Sequence, residues 1–204
     1  MYATFFVSVA AASILLLASL FGVIHLAVAD QIVLFAGLLT GAIIWWQGRL
    51  IRRQMELETT VDLYREWNSR EMRQKRHAAW LNDKPDPDRI EDVLEFLEKV
   101  STFDKERFIS LGLVWDTFGW YLSRYYFYCK DVIMEKRVAW TPGRTGATLY
   151  RDLELLDPKL RRMELAERNR IDRAGKNLTE SDVIEELEKT RTKFIECEKS
   201  LADD

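Results

Sequence analysis

The feature that most constrains this chain is its apolar N-terminal quarter, in which His25 and Asp30 are the only charged or imidazole side chains before the first arginine. A helix rises about 1.5 Å per residue, so about 20 apolar residues cross a hydrocarbon core of about 30 Å. Backbone N–H and C=O groups inside lipid must pair within their own segment, which favours helices. We therefore predict a hairpin of two membrane-spanning helices, over residues 5–29 and 31–49, with a turn at Asp30 and Gln31.

The side chains at the end of this segment predict its orientation. Lysine and arginine are absent before Arg49, and Arg52 and Arg53 follow it closely. Because basic residues beside membrane helices favour the cytoplasmic side, we expect this end, the rest of the chain and the N-terminus to be cytoplasmic. Trp45 and Trp46 precede the arginines and are typical of the boundary between lipid and water.

An alternative interpretation of residues 5–29 is a cleaved signal peptide, because residues 27–29 resemble an A-x-A cleavage site. A signal peptide has a basic segment before a short apolar run of about 7–15 residues. Basic residues are absent before this run, and the run is much longer than that. We therefore favour a retained membrane helix.

Small residues in both predicted membrane helices indicate how these helices pack. Gly37 and Gly41 form a GxxxG pair in the second helix, and Ala18 and Gly22 belong to a small-residue side of the first. Such surfaces let backbones approach closely, either within the hairpin or between copies of the chain, and we expect self-association. We interpret His25, near the predicted outer boundary, as a structural residue rather than an ion site.

The composition of the remaining chain limits its function. Residues 54–204 hold 27 basic and 32 acidic side chains, whereas dedicated nucleic-acid-binding domains are normally basic. The whole chain has two cysteines and two histidines, without zinc or redox spacing and without a recognisable pair of nucleophile and base. We therefore expect no dedicated nucleic-acid binding, no metal or cofactor, and no enzymatic activity.

Apolar periodicity predicts an all-α fold in which residues 1–53 anchor a cytoplasmic helical bundle formed by residues 54–204. The predicted helices cover residues 54–67, 69–81, 87–101, 105–110, 113–137, 148–173 with an interruption near 157–158, and 180–201. In the first of these helices, Leu57, Val61 and Tyr64 have the spacing of a half-buried face.

Capping motifs mark three of the predicted helix starts. Asn68 begins a sequence that resembles a capping box and predicts a break after the helix that leaves the membrane. Asp86 followed by Pro87 is typical of an N-cap with proline at the first helical position. Thr179 with Asp182 resembles a second capping box and predicts the start of the last helix.

The segment after the first break is basic. Arg70, Arg73, Lys75 and Arg76 lie within one short predicted helix. A basic cluster close to a membrane can bind anionic lipid, but a solvated helix face is the simpler interpretation. The carboxylates of residues 91–98 are interpreted in the same way, as a solvated face rather than a metal site.

The predicted helix over residues 113–137 is the most aromatic part of the chain. A helix that is apolar on nearly every side is usually the central helix of a core. The alternative is an aromatic-lined pocket for a nucleotide or another ligand, or a surface for a partner. The candidate residues for that pocket or surface are Trp115, Trp120, Tyr121, Arg124 and Tyr125.

Residues 60–73, which read TVDLYREWNSREMR after a membrane helix, and residues 93–100 with 113–119 resemble a family of bacterial membrane-anchored helical proteins catalogued as a domain of unknown function. The resemblance covers about residues 51–137. It implies a bacterial inner-membrane location and an all-helical cytoplasmic domain, and it supplies no catalytic residues. Members of that family usually have one membrane helix, so the two predicted in this chain are a departure.

These features predict a membrane-tethered interaction or regulatory module that binds a cytoplasmic protein partner. Two alternatives remain open at this point. One is a membrane-disrupting effector of a phage-defence or toxin system, assembled through the small-residue faces. The other is a ligand-sensing domain built around an aromatic pocket.

Overall fold

A computed structural model describes residues 13–14, 17–18, 28–139, 149–171 and 178–201. Most of the first predicted membrane helix, including Gly22 and His25, and most of the predicted Pro/Gly loop at 139–146 lie outside these residues. The chain divides into two compact units, Met1–Met55 and Glu56–Asp204, each of which is described by itself.

All regular secondary structure in the described part of the chain is helical, which confirms the predicted all-α class for those residues. The helices are α1 (Val28–Trp67), α2 (Arg70–Ala79), α3 (Glu91–Lys105), α4 (Leu111–Ala139), α5 (Arg151–Ile171) and α6 (Glu180–Ser200).

Within the described residues, one helix is long and apolar enough to cross a membrane, and it comprises Ile32–Trp67 of α1. The predicted turn at Asp30 and Gln31 is wrong, because both residues are helical within α1. Asp30 lies in the first turn, where a carboxylate is stabilised by the helix dipole instead of ending the helix. The hairpin itself stays a prediction, because the first crossing falls mostly outside the described residues.

The predicted break after α1 is confirmed, although the capping residue is one position later than predicted. Ser69, rather than Asn68, is the N-cap of α2, and its hydroxyl accepts a 3.2 Å hydrogen bond from the backbone N–H of Met72. The Asn68 side-chain amide instead donates to the carbonyl of Tyr64 at 2.8 Å. Asn68 therefore ends α1, and Ser69 begins α2.

The predicted boundaries around α3 are wrong at both ends. The carboxylate of Asp86 caps a turn, accepting from the N–H groups of Asp88 and Arg89 at 3.0 and 3.2 Å, and α3 begins only at Glu91. The predicted short helix over residues 105–110 does not form. Instead α3 continues to Lys105, and a turn containing Arg107 at a φ of 61° leads into α4.

The predicted interruption of α5 is also wrong, because Pro158 lies inside one continuous helix. Leu153, Leu156 and Leu160 are fully buried around it, so burial of this face outweighs the hydrogen bond that proline cannot donate. By contrast, the capping box that begins α6 is confirmed, with both of its reciprocal hydrogen bonds present between Thr179 and Asp182.

The core of the second unit is built around α4, as predicted for the aromatic helix. This helix contacts α3, α5 and α6, and α2 packs against α3 and α6. Buried side chains recur along α4 at the helical period, and they include Val114, Phe118, Leu122, Tyr125, Cys129 and Ile133. The apolar burial of this helix therefore organises the domain.

Candidate membrane and interaction surfaces

The apolar side chains of α1 in the first unit are exposed. Their exposed fractions lie between 45% and 70% for Ile32, Val33, Phe35, Leu39, Ile43, Ile44, Leu50 and Ile51. None of the most apolar 18-residue stretch of this helix is buried. Proteins that fold alone in water rarely expose a continuous apolar surface of this kind.

The predicted boundary residues follow this apolar stretch along the same helix. The guanidinium group of Arg49 lies 4.8 Å from the ring centroid of Trp45, one helical turn away. Trp46, Arg52 and Arg53 are exposed. Aromatic rings beside arginines are typical of the level of lipid headgroups.

The predicted small-residue contact surface is represented in the described part of the chain by three residues. A Cβ atom added to Gly37 would have no neighbour within 4 Å, so this side of α1 is open. Gly41 and Ala18 are half-buried. Gly22, the fourth residue predicted to pack there, lies outside the described residues.

The predicted basic patch is not one exposed surface, because Arg76 is buried in the second unit. Its Nε and Nη2 atoms donate to the two carboxylate oxygens of Glu198 at 2.9 and 2.8 Å. The hydroxyl of Tyr125 donates to the same carboxylate at 2.8 Å. The guanidinium plane lies against Trp67 and Tyr121, 4.2 and 4.9 Å from their ring centroids.

This buried ion pair joins α2 to α6, and Tyr125 of α4 hydrogen-bonds to its carboxylate. Burial disfavours the charge of Arg76, but the hydrogen bonds to Glu198 offset this, and the pKa of Arg76 lies above its usual value. Burial, with the nearby Glu198 carboxylate, raises the pKa of Tyr125 well above that of an ordinary tyrosine. The group therefore pairs a buried guanidinium with the Glu198 carboxylate and with a phenol that keeps its proton.

The other three basic residues of the predicted patch differ in their surroundings. Lys75 forms ion pairs with Glu71 at 2.8 Å and Asp92 at 3.2 Å. Arg70 is exposed and Arg73 is half-buried. Sequence spacing could not separate these cations from Arg76, because Glu198 lies 122 positions away from it.

The five residues of the predicted aromatic surface also differ in burial and do not form one exposed surface. Tyr125 is fully buried. Tyr121 is half-buried, and its ring centroid lies 4.9 Å from that of Trp67. Arg124 is buried, donates to the carbonyl of Trp120 at 3.2 Å and lies 4.5 Å from that ring centroid. Trp120 is 43% exposed and is therefore the one of these four that a partner could reach directly.

The remaining residue, Trp115, lines an open groove of about 490 Å³ between α4 and α5, with Asp116, Met163, Ala166, Glu167 and Arg170. Its ring lies where a side chain at Gly119 would be, since a Cβ atom there would approach Trp115 to 2.7 Å. Gly119 therefore allows the indole to lie along α4. The groove does not include Trp120, Tyr121, Arg124 or Tyr125, so the five aromatic-surface residues do not converge on one pocket.

The carboxylates of residues 91–98 divide between packing and the predicted solvated face: Glu95 is exposed, whereas Glu98 and Glu91 contact other helices. Both oxygens of Glu98 accept hydrogen bonds from the first turn of α5, from the N–H groups of Asp152 at 3.0 Å and Leu153 at 2.7 Å. Burial nevertheless raises the pKa of Glu98. Glu91 accepts from Lys136 at 2.7 Å. In the described residues no group of histidine, cysteine or carboxylate side chains could hold a metal ion.

The part of α1 in the second unit presents the opposite face to the one predicted. Leu57, Val61 and Tyr64 are 47%, 45% and 52% exposed, and we call these three residues the α1 stripe. Leu63 and Trp67 are buried instead. Apolar residues at helical spacing occur on both faces of this segment, so periodicity alone could not identify the buried one.

Comparisons with protein-family models, with curated proteins and with solved structures found no match to this chain.

Proposed function

We propose that this protein is a two-pass bacterial inner-membrane protein that holds a non-catalytic helical interaction domain at the cytoplasmic face and associates with further copies of itself. The observation that carries the proposal is the uncovered apolar surface of α1 between Ile32 and Ile51. A lipid environment removes this surface from water, at about 25 cal/mol for each Å². The arginines at 49, 52 and 53 then favour a cytoplasmic position for everything that follows.

A role in binding rather than catalysis is supported by the buried polar side chains, which form hydrogen bonds that stabilise the fold. The buried Arg76, Tyr125 and Glu198 satisfy one another, and Glu98 caps a helix. On α4, Trp120 is exposed and Trp115 lines an open groove. Exposed tryptophans are common anchors in protein–protein interfaces, so we assign the partner surface to the face of α4 that exposes Trp120.

The native cysteines give a direct test of sidedness. Cys197 is exposed and Cys129 is buried, so the folded chain offers one reactive thiol in its second unit. A membrane-impermeant maleimide should label inverted membrane vesicles and leave intact spheroplasts unlabelled. Cys197→Ser is the control and should abolish the signal. Labelling of intact spheroplasts would contradict the proposed orientation.

The partner assignment is tested by affinity capture of the full chain from gently solubilised membranes. We expect Trp120→Ala to reduce the recovery of a specific co-purifying protein at least fivefold. Leu155→Ala removes an exposed apolar side chain from α5 and is the matched control, which should leave recovery unchanged. Equal recovery with both variants would contradict the assignment of Trp120.

The open side of α1 at Gly37 also supports the second candidate function, a membrane-disrupting effector. The two functions differ in their effect on membrane potential. Under the effector proposal, overexpression depolarises the cells, and charged substitutions of Gly37 and Gly41 abolish the toxicity. Under the tethered-module proposal, a potential-sensitive dye reports no change on overexpression.

A further inference from the structure

The α1 stripe is an unpartnered apolar face on a helix whose other side is already used. Thr60, Leu63 and Trp67 are buried within the second unit, whereas Leu57 and Tyr64 point away from that core and are about half exposed. Among the described residues nothing buries the stripe. It lies a few residues after the arginines that are proposed to mark the cytoplasmic boundary.

The spacing of these residues continues along α1 as a heptad pattern. One position of the heptad recurs every seven residues at Ile43, Leu50, Leu57 and Tyr64. The second recurs four residues after each of the first three, at the polar Gln47 and Gln54 and the apolar Val61, so both positions are apolar from Leu57 to Tyr64. Alternating steps of three and four residues are the pattern by which two helices wind around each other.

We propose that the α1 stripe packs against the α1 stripe of a second copy of this chain, as a short parallel coiled coil just inside the membrane. This inference rests on the proposed function, because anchoring in one bilayer gives every copy the same orientation. Anchoring also raises the local concentration of one stripe around another, as linked binding sites do. A second copy is therefore the occupant that best matches the face.

The charges beside the stripe fit a parallel pair. In a parallel pair, the residue that precedes the second core position on one chain faces a flanking residue of the other chain that lies five positions later in the sequence. This relation brings Arg53 of one copy opposite Glu58 of the other, twice in the symmetric pair. Opposite charges at these flanking positions favour the parallel register.

Cysteine crosslinking in native membranes tests the pairing. The full chain carries Cys197→Ser, which leaves the buried Cys129 as the one native thiol. Single cysteines replace Leu57, Val61 or Tyr64, and Asp62→Cys is the control because Asp62 is exposed on a different side of α1. After mild oxidation we expect the dimer band to be at least fivefold stronger for the three stripe positions than for the control.

A second variant separates pairing from local perturbation of the helix. Leu57→Asp with Tyr64→Asp should convert the dimer to a monomer, as measured by light scattering of the full chain in lipid nanodiscs, while Asp62→Asn should leave the dimer intact. Uniform crosslinking at all four positions, or a dimer that survives both aspartates, would overturn the inference. Alkaline extraction of the same membranes separates failure of this inference from failure of the proposed function. A chain that resists extraction but lacks the crosslinking pattern contradicts the pairing and leaves the membrane anchor intact.

Discussion

The structural role of Arg76 differs from the role that its sequence neighbours predict. In the sequence it is the last of four neighbouring cations, and a solvated or lipid-binding face was the reasonable expectation. In the structure it is fully buried, and its two hydrogen bonds run to Glu198. No local pattern reveals this pairing, because it depends on the packing of two helices that are far apart in the sequence.

We expect Arg76→Met to lower the free energy of unfolding by about 3–5 kcal/mol, because it leaves the Glu198 carboxylate buried without its cation. The double variant Arg76→Met with Glu198→Leu should recover part of this loss, since it removes both charges together but leaves the buried Tyr125 hydroxyl without its acceptor. The measurement is chemical denaturation of the full chain in detergent, followed by near-UV circular dichroism of the buried Trp67 and Trp80. A double variant as unstable as Arg76→Met would contradict a balanced buried pair.

Cys129 gives a prediction for alkaline pH. Burial raises the pKa of this thiol far above that of an exposed cysteine, so the folded state keeps the proton that the unfolded state loses. Its contribution to stability is therefore present below the ordinary thiol pKa and is lost as the pH rises above it, at up to about 1.4 kcal/mol per pH unit. The free energy of unfolding of Cys129→Ala should fall less steeply above pH 9 than that of the unmodified chain. Parallel pH profiles would contradict this account.

At the scale of elements, the local signals were the reliable ones. The capping box of Thr179 and Asp182 was predictable because its hydrogen bonds join residues three positions apart. The start of α3 was not predictable, because Asp86 can cap a turn as readily as a helix. The continuity of α5 through Pro158 depends on leucines buried by other helices, which a proline rule applied to the sequence alone could not include.

Glu98 connects α3 to α5, which are separated in the sequence by α4. It lies on α3 and caps the first turn of α5, so Glu98→Ala should lower the free energy of unfolding by about 1–2 kcal/mol, which is typical of a lost cap. Glu95→Ala, on the exposed side of the same helix, is the control and should change stability by less than about 0.5 kcal/mol. Thermal unfolding of both variants in the same detergent makes the comparison. Equal effects would show that Glu98 is not a cap.

At Pro158 of α5, in contrast to Glu98, we expect a substitution by alanine to stabilise the protein. Since it is exposed and cannot donate a backbone hydrogen bond, Pro158→Ala should raise the free energy of unfolding by about 1–3 kcal/mol. Arg162→Ala, also exposed on α5, should be nearly neutral. Denaturant midpoints of the two variants are the measurement, and a destabilised Pro158→Ala would mean that the proline contributes to the packing around it.

At the scale of the whole chain, hydropathy and charge predicted the all-α class and a membrane-capable helix before any contact was known. They did so because the apolar surface of that helix is a property of its sequence, independent of what packs against it. The candidate interaction surface was harder to predict from the sequence. The aromatic residues of α4 divide into core, groove and exposed tryptophan according to their position around a helix whose neighbours lie elsewhere in the sequence.

The central claim is that lipid covers the exposed apolar surface of α1. The most direct measurement is alkaline carbonate extraction of membranes from cells that express the full chain, followed by high-speed centrifugation without detergent. The account predicts that the chain stays in the pellet and is released only by detergent, because burial of apolar surface in lipid, unlike a peripheral electrostatic contact, survives alkaline pH. Recovery of the intact chain in the carbonate supernatant would contradict the membrane anchor and every proposal that depends on it.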